Sequence, residues 1–84
     1  MSEAALRNEV GRRAYVRRVW LGLSQQELAD KAHVSRNFVS AIERGAQGLD
    51  VWRLWRLAEA LGGTVDWLVG GPDEVLTSSA PGVG

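Results

Sequence analysis

Few residues in this 84-residue chain are equipped for covalent chemistry. It has no cysteine, and with that go the thiol nucleophile, the thiolate metal site and the disulfide framework. Its one histidine, His33, has no second histidine or cysteine to join it as a metal ligand, and it reads as a turn residue. Ser24 and Ser35 stand where helices begin and have no nearby base, so they read as caps and not as nucleophiles. Glu59, Asp66 and Asp73 lack metal-ligand spacing. No metal, no cofactor and no enzymatic activity is therefore expected. The chemistry left is recognition by hydrogen bonds. Arg36 and Asn37 are the two types that make bidentate contacts to base edges, arginine to guanine O6 and N7, asparagine to adenine N6 and N7. Ser40 and Ala41 follow one turn later, and the alanine suits a thymine methyl.

Such side chains need a helix that carries them outward. Ser35 caps one that runs to about Arg44 and stops at Gly45. At 100° per residue, Val39 and Ile42 share its inner side with Phe38 and Glu43 at the edges, while Asn37, Ser40, Ala41 and Arg44 fall on the outer side. About nine residues make a marginal helix in water, so its inner side must be packed. The preceding helix opens on Ser24-Gln25-Gln26-Glu27, a capping box, and turns Leu28, Ala29 and Ala32 inward. Two helices joined by three to four residues form a helix-turn-helix. The major groove, roughly 12 Å wide, admits one helix, and the residues near that helix's N-terminus reach the bases. Gln25, Ser35 and the amides at both helix N-termini suit phosphate oxygens.

The rest of the pattern is helical. A first helix is expected from about Ala5 to Leu21, with Leu6, Val10, Ala14, Arg18 and Leu21 on one stripe and Gly22 ending it. Asp50 can cap a fourth, Val51 to Leu61, whose Val51, Leu54, Leu57, Ala58 and Leu61 point inward. Thr64 opens a short fifth with Val65 and Leu68 buried. Residues 1–70 are expected to form one all-α, compact five-helix domain, and residues 71–84, rich in glycine, proline and serine, a flexible tail. No run approaches the roughly 20 apolar residues of a membrane span, and the start lacks a signal-peptide pattern, so a cytoplasmic location is expected.

The net charge is zero. Its distribution is not even: residues 1–44 hold eight basic and five acidic side chains, residues 45–84 two basic and five acidic. That asymmetry hints at a polyanion partner for the first half.

Taken together, Gly22-Leu23-Ser24-Gln25, Glu27-Leu28-Ala29, Val34-Ser35 and Ile42-Glu43-Arg44-Gly45, continued by Leu57-Ala58 and Ala60-Leu61-Gly62, resemble the phage repressor/Cro-like (XRE) helix-turn-helix family over about residues 10–69. The resemblance implies a lambda-repressor-like DNA-binding domain, usually a homodimer on an operator with two half-sites, acting as a transcriptional regulator and most simply as a repressor. It implies base reading by Arg36, Asn37, Ser40 and Ala41, backbone contact by Gln25, Ser35 and Arg44, and a structural pair between Arg18 and Glu43. Trp67 and Leu68 lie where such proteins commonly pair, which makes them the expected dimer interface. Four positions depart from the family pattern: His33 replaces a turn glycine at a spot that often needs positive φ, Arg17 an aliphatic residue, Gly63 a valine, and Leu49 a proline.

Several positions stay open between two readings. Trp52 and Trp55 flank the fourth helix, either as an exposed surface for a protein partner or as an enlarged core. Phe38 either packs on the second helix or touches a thymine methyl. Arg12, Arg13 and Arg17 are either solvated or bound to phosphate. Two other functions share the scaffold: an antitoxin that holds a toxin by the tryptophan flank or the tail, and a pure protein-interaction module.

Overall fold

The computed structural model describes residues 1–71, and the predicted tail otherwise lies outside the described residues. Among the described residues five helices form, α1 Glu3–Trp20, α2 Gln25–Ala32, α3 Arg36–Glu43, α4 Val51–Ala60 and α5 Val65–Leu68. Each opens on a side-chain oxygen that accepts from the amide three residues on, at Ser2, Ser24, Ser35, Asp50 and Thr64. These caps satisfy donors that a helix end cannot satisfy itself. Both halves of the capping box at Ser24 and Glu27 are present. Ser2 starts α1 two residues before the expected Ala5, because a capping hydroxyl there extends the helix by half a turn.

Packing makes one core. Val10 and Ala14 of α1, Leu28 and Ala29 of α2, Val39 and Ile42 of α3, and Leu54, Leu57 and Leu61 of the α4 region are all buried in it. α2 packs on α3 and α4, while α1 crosses α3 and α5. Phe38 is buried, as the packing reading required. Val51 is not: it stands 76% exposed in the first turn of α4, one turn beyond Leu54, and Ala60 takes a buried place on the inner side instead.

Two glycines record close approaches. A Cβ at Gly11 would collide with the Ile42 carbonyl oxygen, so only glycine lets α1 lie directly on the end of α3. A Cβ at Gly63 would fall 2.6 Å from the Trp67 ring. The missing side chain at 63 and the large one at 67 thus occupy one space.

His33, which ends α2, has φ 57 and ψ 45, the left-handed conformation expected at that turn. Histidine holds it under steric strain that glycine would not feel. His33→Gly should therefore raise the unfolding free energy by about 1 kcal/mol, the left-handed penalty less the extra freedom glycine gains in the unfolded chain. A urea midpoint that stays put or falls would remove the strain. Gly63→Val alone should destabilise by about 1–3 kcal/mol through overpacking, and much of that loss should vanish when Trp67→Leu is added. Strictly additive effects in that double-mutant cycle would mean that the indole is not the obstacle.

Candidate nucleic-acid interface

α3 has eight residues, below the length at which a helix holds in water, roughly 12–15 residues. Val39 and Ile42, each 1% exposed, anchor it from behind. With that side fixed, Arg36 and Asn37 emerge exposed in its first turn, and no hydrogen bond or ion pair with another described residue draws either back. Ser40 and Ala41 are half-exposed on the next turn. Arg44 is exposed just past the helix, its Nε 3.4 Å from the Ser40 hydroxyl. The four residues expected to read bases therefore share one open face with Arg44 at its rim.

Ser35 is exposed and its hydroxyl accepts from the Phe38 amide. In α2 the first hydrogen bond of the helix ladder is donated by Leu28 to Ser24, and in α3 by Val39 to Ser35. The amides of Gln25, Gln26, Arg36 and Asn37 are left without an acceptor in their own helices, which makes two donor pairs suited to an anion. Gln25 itself is half-buried, and its Nε2 donates to Glu43 Oε1 at 3.0 Å.

Glu43 is the point where three helices meet. Arg18 of α1 donates from Nε at 2.6 Å and from Nη2 at 3.1 Å to the two carboxylate oxygens, and Gln25 of α2 adds the third bond. Arg18 Nη1 also donates to the Leu23 carbonyl at 2.7 Å. The hydrogen bond to Glu43 raises the Arg18 pKa above the ordinary guanidinium value, against the opposing effect of burial. The angle between α2 and α3 is fixed from behind by this cluster.

The structure departs from two sequence expectations. Arg13 and Arg17 are buried and do not face a phosphate: Arg17 Nε donates to the Leu61 carbonyl at 2.8 Å, and Arg13 Nη1 to the carbonyls of Trp67 at 2.8 Å and Gly71 at 2.6 Å. Burial lowers the Arg17 pKa. Arg12 is exposed, with Nη2 2.7 Å from Glu9. Trp67 and Leu68 do not form an outward surface, since they are 2% and 0% exposed and belong to the chain's own core. Side chains with so little accessible area have almost none to offer a second copy.

One cation was not singled out from the sequence. Arg53 lies with its guanidinium 4.3 Å from the centroid of the Phe38 ring, which sets a positive charge beside the first turn of α3. Its Nε donates to Asp50 Oδ2 at 2.6 Å, and Asp50 Oδ1 accepts from its amide at 2.9 Å. Those two bonds, the backbone one first, hold the Asp50 carboxyl below its ordinary pKa. The Asp-x-x-Arg spacing at a helix start was the available signal.

Among the described residues no group of three or more His, Asp or Glu side chains could hold a metal ion, and no helix is long and apolar enough to cross a membrane.

Comparison with known proteins agrees with this geometry. The hypothetical transcription factor NHTF from Neisseria superposes with a TM-score of 0.76 at 33% identity, over 90% of this chain and 87% of that one. The DNA-binding domain of the P22 C2 repressor gives 0.70 at 27% identity, over 82% and 93%. An HTH_3 family transcriptional regulator from Vibrio cholerae shares the fold, with a TM-score of 0.75 at 22% identity over 80% of this chain, which spans only 38% of that protein. No protein of curated function matches the sequence significantly. The helix-turn-helix family model HTH_3 matches residues 15–68, from the last third of α1 to the end of α5. The chain therefore belongs to the XRE-type helix-turn-helix family of DNA-binding transcriptional regulators.

Proposed function

We propose that the chain is a dimeric, sequence-specific repressor that occupies a double-stranded operator and so keeps polymerase off it. The observation that carries this reading is the exposed pair Arg36 and Asn37 on a helix whose opposite side is locked into the core. In the major groove, Arg36 reads a guanine and Asn37 an adenine, while Ser40 and Ala41 select the neighbouring base pair by fit. Gln25, Ser35 and Arg44, with the free amides of α2 and α3, hold phosphates and set the register. Arg53 joins them as a cation at the same rim. No bond is made or broken, so the output is occupancy alone. Phosphate contacts supply much of the affinity and its salt dependence, and the first turn of α3 supplies the choice of sequence. The P22 neighbour's being a repressor supports the sign of regulation.

A second reading, an antitoxin-like protein that also holds another protein, is favoured by the exposure of Trp52 and Trp55. A neighbouring gene for a small toxic protein would support it.

Arg36→Ala should cost about 1–3 kcal/mol at one base pair of each half-site and flatten the preference there. Selection from a random DNA pool measures this, and the same preferred sequence from mutant and parent would remove Arg36 from the reading face. Arg44→Ala should instead weaken binding about uniformly over sequences and reduce the slope of log K against log salt by about one. Footprinting should find two half-sites about 34–36 Å apart, and protection of a single non-repeated site would contradict the dimer.

A further inference from the structure

Trp52 and Trp55 lie one turn apart on α4, 61% and 48% exposed, with ring centroids 5.6 Å apart and planes at 15°. Arg56 stands over the Trp52 ring at 5.1 Å. The indoles wall an open groove of about 480 Å³ that Lys31 and His33, at the end of α2, close on the other side, with Glu59 on its α4 side. Neither Lys31 nor Glu59 is in an ion pair with a described residue.

We infer that two copies of the chain pair through this groove, the Trp52 indole of each entering the groove of the other. The inference rests on the dimeric reading above and names its surface, which the burial of Trp67 and Leu68 leaves vacant.

Charge favours a second copy over another occupant. Across a two-fold axis every contact occurs twice with the roles exchanged, so a self-pairing surface must carry both signs. This groove does: Glu59 of one copy can meet Arg56 or Lys31 of the other, and the reverse. The area is also of the right order. An aromatic side chain has about 150–250 Å² to bury, so these four half-exposed indoles contribute about 400 Å² of the roughly 1,000 Å² that a specific interface needs. Val51, one turn before Trp55 on the same ridge and 76% exposed, extends the apolar strip. Placement suits the task as well. His33 lies two residues before the cap of α3, so pairing here holds the two reading helices at a fixed separation.

Sedimentation velocity on the full chain over a concentration series tests this. The parent should show a monomer–dimer equilibrium, and Trp52→Glu should raise its dissociation constant at least about tenfold while helical circular dichroism is unchanged. Glu59→Lys and Arg56→Glu should each weaken self-association when alone. Mixed, they should form a heterodimer within about threefold of the parent's affinity, because each swapped charge then meets its opposite. That rescue decides the matter even if the tryptophan variant loses its fold. A parent that is monomeric at every concentration overturns both the groove and the dimer. A parental dimer indifferent to all three substitutions, with no gain on mixing, overturns the groove alone and points to another face, such as Tyr15, Val19 and Trp20 on α1.

Discussion

The Glu43 carboxylate is the constraint on which the rest depends. It lies at the last residue of α3 and takes three hydrogen bonds, two from Arg18 of α1 and one from Gln25 of α2. A buried ion pair is a poor source of net stability, because removing both charges from water costs about what their attraction returns. Its value here is geometric. A nonpolar contact at this point would allow α3 to slide or roll, whereas a bidentate fork with a third donor fixes one orientation. Gly11 acts with it, since the absence of a side chain lets α1 lie on the α3 carbonyls directly beside the pair.

At the other end of the molecule α1 uses buried cations to seat the C-terminal part. Arg17 reaches the Leu61 carbonyl at the end of α4, and Arg13 reaches Trp67 and Gly71 at and beyond the end of α5. Helix C-termini carry unsatisfied carbonyls and partial negative charge, so a guanidinium is a fitting cap for them. This accounts for Arg17 where an aliphatic residue was expected. It also explains why α5, with four residues, is ordered against the body: its carbonyl end is gripped and its Trp67 fills the space that Gly63 leaves open.

Most of this architecture was legible in the sequence, and for a common reason. Caps at Ser24, Ser35, Asp50 and Thr64, the left-handed His33 and the stripe Leu54, Leu57, Ala58 and Leu61 all depend on neighbours within a few residues. The outward aim of Asn37 followed in the same way from the helical period, and that of Arg36 from its place in the first turn after the Ser35 cap. The misreadings concern relations between distant segments. Whether Arg17 faced water or a carbonyl depended on where α4 ended, 44 residues later. Trp67 and Leu68 had the composition of an interface, and only the position of α1 over α5 shows that they are already covered. Val51 fitted the periodic stripe, but helix ends overhang the core, and periodicity carries no information about where the core stops.

The stacked pair on α4 also has an optical consequence. Two indoles at 5.6 Å and nearly parallel are close enough for their excited states to mix, so their emission and their contribution to ultraviolet ellipticity belong to the pair. Trp67, enclosed in the interior, gives an independent signal that tracks whether the chain is folded. Beside the separate, exposed Trp20 of α1, the molecule thus contains a label-free paired fluorophore on α4 and an internal reference, and a change in the pair's own signal without the reference reports a local event beside the turn at His33.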